Sequence, residues 1–265
     1  MLNFLLLLGG TIALRPYVFV FLGAYLLLAS LHLGAGRAVV FLALGYLISW
    51  AAELGAIHYG FPFGEYLYIP ATRNRELWVA GVPLMDSLSY VFLAYASYCL
   101  ALTALGRGHW KGLGFHLEDE AALQKSWRTL ILAAVLMVTL DLIIDPVALR
   151  GYRWFLGQIY GYPEGGVYFG VPLSNFAGWF LVALAMIRVL QYLATGPAPG
   201  RFWDWGRRPS ASQALPGVGL YLGILGFNLA MTFLIGEPLI GWVGVFIYLP
   251  FLTWWLLKLC PRKDI

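Results

Sequence analysis

Seven stretches of nearly unbroken apolar sequence, at about 16–34, 37–57, 82–105, 127–145, 171–194, 215–235 and 239–258, leave this 265-residue chain few ways to fold. Each approaches the roughly 20 residues that carry a helix across the hydrocarbon core of a bilayer. In hydrocarbon the backbone polar groups must be satisfied within the spanning segment, and a helix does that. An eighth apolar stretch, Leu2 to Leu14, has only 13 residues. It lacks the basic start and small-residue cleavage site of a signal peptide, so it reads as a short span. Charged residues make up 11% of the chain, against about 25% in soluble domains. The expectation is an all-α fold: a polytopic membrane helix bundle of about eight transmembrane helices, one integral membrane domain over 1–265.

The basic residues divide unevenly between the two ends of such a bundle. Arg37, Arg107, Lys111, Lys125, Arg128, Arg188, Arg201, Arg207, Arg208, Lys258, Arg262 and Lys263 lie on one side. Arg15, Arg73, Arg75, Arg150 and Arg153 lie on the other. The excess of Lys and Arg marks the cytoplasmic side, which places both termini there and the protein in the cell membrane. The net charge of +4 thus reports orientation and implies no nucleic-acid partner.

The spans pair into hairpins at 2–34, 37–105, 127–194 and 215–258, and the returning helices open alike. Gly81-Val82-Pro83-Leu84 recurs as Gly170-Val171-Pro172-Leu173, with a third version at Gly236-Glu237-Pro238-Leu239 and Arg15-Pro16 at the equivalent place in the first hairpin. Proline is preorganised for a first helical turn and gives up a hydrogen bond that turn would lack anyway. The middle hairpins match further: Glu53 lies 30 residues before Pro83, Asp141 lies 31 before Pro172, and Asp86 and Asn175 each follow their proline by three. Parallel repeats commonly enclose a site at their interface.

Glu53, Asp86, Asp141, Asp145, Asn175 and Asn228 all fall in the outer half of the bundle. Ionisable groups at such depth are costly and face a cavity or a partner. The plain reading is that they satisfy one another across helix contacts. With no Lys or Arg at comparable depth, however, the acids cannot all be ion-paired, and at least one should carry a proton. A buried carboxylic acid is a proton donor. Asp141 and Asp145, four apart, share a helical face, while Pro146 predicts a helix end at Asp145 with its carboxylate at the rim.

Cys99 and Cys260 are isolated, and the four histidines (32, 58, 109 and 116) are too few for a membrane di-iron hydroxylase. No lysine lies mid-span, which argues against a retinal Schiff base, and no glycine-rich phosphate loop occurs. The expected site therefore has no metal and no cofactor. His58, Phe63, Tyr66, Asp86, Trp154, Tyr168 and Trp179 are the expected substrate contacts, since they cluster near the acids in the outer connections and returning helices. Aromatic faces beside a proton donor stabilise a carbocation by cation–π attraction.

The segments ELGAIHYGFPFGEYLY (53–68), DLIIDPVALRGYRWF (141–155) and YFGVPLSNFAGWF (168–180) resemble the membrane carotenoid-biosynthesis family that includes the CruF-type carotenoid 1,2-hydratases. That family acts on γ-carotene-like carotenoids in bacteria and on bisanhydrobacterioruberin in haloarchaea. Its Glu–Gly–Pro-Phe-Gly element falls on Glu53, Gly60, Pro62, Phe63 and Gly64, and its Asp-x3-Asp-Pro element on Asp141, Asp145 and Pro146. Its Gly-x-Pro-x2-Asn element falls on Gly170, Pro172 and Asn175, whereas Asp86 is less clearly a family position. The resemblance implies addition of water across the C1=C2 bond of an acyclic ψ-end group, with a lipophilic carotenoid and membrane lipid as partners.

The residues fit that chemistry. An unactivated trisubstituted alkene offers no handle to a base, so protonation at C2 comes first and leaves a tertiary cation at C1. Asp141 is the expected acid, and Asp145 or Glu53, with Asn175, positions the attacking water. Three other readings stand beside this one. A lycopene-type cyclase would quench the same cation with a neighbouring double bond. A magnesium-dependent prenyltransferase would use Asp141 and Asp145 as one half of a paired aspartate motif. A carotenoid-binding protein would do no chemistry.

Overall fold

A computed structural model describes residues 2–112, 114–196 and 210–260. Its helices are α1 (Leu2–Leu14), α2 (Pro16–Leu33), α3 (Ala35–Tyr59), α4 (Leu84–Leu105), the short α5 (Glu120–Lys125), α6 (Trp127–Ala148), α7 (Leu173–Thr195), α8 (Leu215–Leu234) and α9 (Pro238–Leu259). Among the described residues seven helices are long and apolar enough to cross a membrane, matching the seven long apolar stretches. The protein is an α-helical, multi-pass membrane protein. At 1.5 Å per residue the 13-residue α1 is about 20 Å long, shorter than a bilayer core of about 30 Å. Arg201, Arg207, Arg208, Arg262 and Lys263, five of the basic residues used above for orientation, lie outside the described residues.

The bundle is built around α4. Every residue from Tyr90 to Ala104 is buried, as in a helix that presents no face to lipid. Its neighbours are α2, α3, α6, α7 and α8. Small residues along α4 (Ala94, Ala96, Ser97, Cys99, Ala101 and Ala104) let these helices approach. At the tightest point a Cβ on Gly217 of α8 would lie 2.4 Å from Cys99 Sγ, so α8 seats against α4 only with glycine there. In the middle of the bundle α4 packs on α6 and α3 packs on α7. Exchanging the α3–α4 hairpin for α6–α7 maps this pattern onto itself.

The prolines stand where helices begin. Pro16 and Pro238 occupy the first turn of α2 and α9, while Pro83 and Pro172 sit in extended geometry as the caps of α4 and α7. Pro146 behaves differently from the expectation: α6 runs through it to Ala148, and Asp145 is buried rather than at a rim. The last turn is closed by Leu149 N–H on Asp145 O (2.9 Å) and by the Arg150 guanidinium on Pro146 O (2.9 Å).

Beyond the helices the all-α expectation gains three two-stranded ribbons. β1 (Leu67–Tyr68) pairs antiparallel with β6 (Tyr160–Gly161), β2 (Trp78–Val79) with β3 (Val82–Pro83), and β4 (Gly108–Lys111) with β5 (Gly114–Leu117). Connections of this length carry backbone groups that need partners, and short ladders supply them. The β1–β6 pair fastens the α3–α4 connection to the α6–α7 connection, with Tyr68 opposite Tyr160. A second fastening comes from the first hairpin. Arg15, 1% exposed, ion-pairs with the fully buried Glu76 at 3.1 Å and also donates to Leu156 O. Thr11 Oγ1 accepts from Leu77 N at 2.8 Å. Three connections are thereby locked over one end of the bundle.

Candidate active site

Beneath that locked end, four acids on three helices come together. Glu53 lies near the end of α3, Asp86 on the first turn of α4, and Asp141 and Asp145 in the last two turns of α6. Glu53, Asp141 and Asp145 are buried, at 3%, 0% and 4% exposure. Arg15, which the sequence placed among loop residues, is buried at this same end, but its ion pair is with Glu76 and not with one of the four acids.

Asn175, on the first turn of α7, joins the two α6 acids. Its amide donates one hydrogen to Asp141 Oδ2 and the other to Asp145 Oδ2, both at 2.9 Å. An amide has two hydrogens, so both are used. Asp145 also accepts from Tyr160 at Oδ1 and from Tyr162 at Oδ2 (2.8 Å), three donors in all. Among the described residues Asp141 accepts only from Asn175, and its Oδ1 is buried with no partner.

The other two acids are joined by a phenol. Glu53 accepts from Tyr90 at Oε1 (2.5 Å) and from Tyr68 at Oε2 (2.8 Å), while the Tyr68 hydroxyl also contacts Asp86 Oδ2. Tyr68 has a single hydroxyl proton. A proton on one of the two carboxyls would let both bond to that one phenol oxygen. Burial, and then the neighbouring carboxylates, push the hydroxyls of Tyr68, Tyr160 and Tyr162 well above the ordinary phenol range. All three remain protonated donors.

Two cavities of opposite character meet at this cluster. The larger, about 90 Å³, is mostly apolar: Tyr17 and Phe21 of α2, Met85 and Leu93 of α4, Ile144 and Ala148 of α6, Ile224 of α8, and Trp154 and Leu156 from the connection. Asp141 and Asn228 open onto this cavity. The smaller, about 40 Å³, is ringed by Glu53, Tyr66, Tyr68, Tyr162 and Asn175 over a floor of Phe63. Asp86, Tyr90, Asp145, Tyr160 and Trp179 line both and form the wall between them. In that wall Tyr90 and Trp179 stack face to face, centroids 4.3 Å apart and planes within 10°. A water needs roughly 10–15 Å³ and two to four polar partners, and the smaller cavity offers both. The Tyr66 hydroxyl, buried there without a partner, is one of them.

A family model described as carotenoid biosynthesis protein matches residues 3–249, nearly the whole chain and all the helices that build this cluster. The chain belongs to the carotenoid biosynthesis protein family. Among curated relatives, the bisanhydrobacterioruberin hydratase of Haloarcula japonica is 30% identical over 194 residues, which is 70% of this chain and 57% of that protein. The chain thus matches somewhat over half the length of that relative. No solved structure matches this family member.

Of the residues singled out from sequence in this carotenoid biosynthesis protein, Glu53, Phe63, Tyr66, Asp86, Asp141, Asp145, Asn175 and Trp179 line one or both cavities, and Trp154 lines the apolar one. Two do not join them. His58 is exposed on the far side of the last turn of α3, beside Tyr59. Tyr168 is half-buried against Phe169 and Phe176, in the tight turn it closes with Val171. Asn228 reaches the apolar cavity while its amide N–H₂ bonds to Ile224 O in its own helix. Tyr90, Tyr160 and Tyr162 were missed. Tyr90 had a readable signal, since it follows Pro83 by seven residues as Trp179 follows Pro172. Tyr160 and Tyr162 had none, because only the β1–β6 pairing brings their connection over Asp145.

Proposed function

We propose that the protein is a carotenoid 1,2-hydratase that adds water across the C1=C2 bond of an acyclic ψ-end group. The observation that carries this reading is the division of the site into an apolar cavity lined by Asp141, whose buried Oδ1 has no partner among the described residues, and an adjoining polar cavity of a size for water. Hydration of an alkene needs a proton donor facing hydrocarbon and a water beside it.

In this mechanism Asp141 is the acid. It accepts one hydrogen bond and leaves Oδ1 to carry its own proton toward the apolar cavity. Transfer of that proton to C2 leaves a tertiary cation at C1. The Trp179 and Tyr90 rings in the dividing wall stabilise the cation through their faces. A water held in the polar cavity attacks C1, and its surplus proton goes to Asp145, whose three donors match an anionic carboxylate. The proton then returns to Asp141 through water, so one alkene and one water give one tertiary alcohol with no redox change. Glu53, its two oxygens held by Tyr90 and Tyr68, fixes the far wall of the water cavity. The site faces the outer side of the cell membrane, with both termini in the cytoplasm, a reading supported by the excess of basic residues toward the other end of the bundle.

The test is isotopic. A ψ-end carotenoid incubated with the protein in ¹⁸O-labelled water, without reductant and without O₂, should yield a labelled tertiary alcohol. Its visible spectrum should hardly change, because C1=C2 is not conjugated with the polyene. A new ring without label would make the protein a cyclase, and an unlabelled alcohol formed only when O₂ is supplied would make it a hydroxylase. Either refutes the proposal.

A further inference from the structure

The apolar cavity has room for the branched end of a long chain but not for the chain itself, so a polyene bound at Asp141 must pass out through a wall. Most walls are closed. α3 packs on both α2 and α4, and α7 on both α4 and α6. The seam between α6 and α8 is covered by α9, where a Cβ on Gly244 would meet Ile143 and Leu229 side chains at 2.9 Å. The Arg15 contacts with Glu76 and Leu156 close the end.

α2 also packs on α8, but the seam between them is built differently. Rings fill it: Tyr17 of α2 stacks on Phe227 of α8 (5.2 Å, 19°), Phe21 meets Phe227 edge-on (5.8 Å), and Trp154 lies 6.1 Å from Tyr17. Tyr17, Phe21 and Trp154 line the cavity on their inner side, while Phe155, packed on Tyr17 and Trp154, is 53% exposed. Gly226, beside Phe227, has open space around it among the described residues. One layer of aromatic rings therefore separates the cavity from lipid.

We propose that this seam is the passage and binding track for the polyene, with Tyr17, Phe21, Trp154 and Phe227 as its walls. The inference rests on the hydratase reading for the identity of the ligand. A conjugated chain is straight and stiff, so its track must be a slot in line with the end group. Flat ring faces give such a slot many carbon contacts and no polar group to desolvate. Rings in such a seam can also part by rotating side chains, without moving the packed helices.

The test is a reversible lock. Tyr17→Cys with Phe227→Cys, in a Cys260→Ser background, is joined by a bis-methanethiosulfonate linker, which forms a reducible disulfide with each cysteine and releases sulfinate. Linking should cut hydration of a ψ-end carotenoid at least tenfold, cleavage of the linker should restore it, and each single variant should be indifferent to the reagent. Full activity in the linked protein overturns the proposal. Occupancy is read separately by polyene quenching of the fluorescence component lost in Trp154→Phe. If linking blocks quenching while no labelled alcohol forms in any sample, the track stands and the hydratase reading falls. Should the double variant fail to fold, Phe227→Trp narrows the seam instead. It should raise KM several-fold for the full-length carotenoid without lowering kcat, and an unchanged KM counts against the track.

Discussion

Replacing Asp141 by Asn isolates the proton. The amide has the size of the carboxyl, its oxygen can still accept from Asn175 Nδ2, and its NH₂ group takes the place of the unpartnered Oδ1. No buried group loses a partner, so the variant should insert normally and lose no more than about 1 kcal/mol of stability. Catalysis should suffer far more. A general acid contributes about 10²–10⁴ in rate, or about 3–5 kcal/mol at 1.36 kcal/mol per tenfold. The upper end is expected, because an isolated alkene offers no alternative first step. The assay is single-turnover hydration in isolated membranes, with product counted by mass at +18 and protein amount and thermal midpoint measured on the same samples. Turnover above roughly a tenth of wild type, at matched protein level, would show that another group donates the proton.

Glu53→Gln and Asp145→Asn should each lower turnover by about 10²-fold or more, and Asp86→Asn by less, because Asp86 is held only through Tyr68. Equal losses at all three would mean that the cluster fails as a whole and that no division of roles exists. Arg15→Met should destabilise by about 3–5 kcal/mol, since it strands Glu76 in a fully buried place. Adding Glu76→Leu should recover much of that loss, and a double variant no more stable than the single one would refute the buried-pair account. Cysteines placed in 59–80 and 147–169 should react with impermeant reagents from outside and those in 107–125 and 196–214 from inside. The reverse pattern would put the acids on the cytoplasmic side.

The helices were legible because hydrocarbon leaves a chain so little freedom: a run of about twenty apolar residues has one fold there. Proline then marked where the returning helices begin, to within a residue at Pro83 and Pro172. The site was legible where depth alone is diagnostic, as at Glu53, Asp141 and Asp145. It was illegible where two connections meet, since nothing local in the stretch containing Tyr160 and Tyr162 says that it lies across from Tyr68. Pro146 misled because its bias against helical geometry at Asp145 is a tendency that the turn overrode, with Leu149 N–H on Asp145 O and Arg150, further on, on Pro146 O. Arg15 misled for a related reason. Its partner Glu76 lies 61 residues away, and only the pair explains how an arginine comes to be 1% exposed.

The enclosure of α4 bears on how the chain is made. A helix emerging from the ribosome enters the membrane with only earlier segments available as neighbours. For α4 those are α2 and α3, whereas α6, α7 and α8 are still unsynthesised, and the last of them begins only at Leu215. The side of α4 destined for those later helices must therefore face lipid or the insertion machinery meanwhile. Biogenesis should consequently stall at α4 and be released late, when α8 docks through Gly217. A nascent chain cut off before α8 would remain a client of membrane chaperones and proteases.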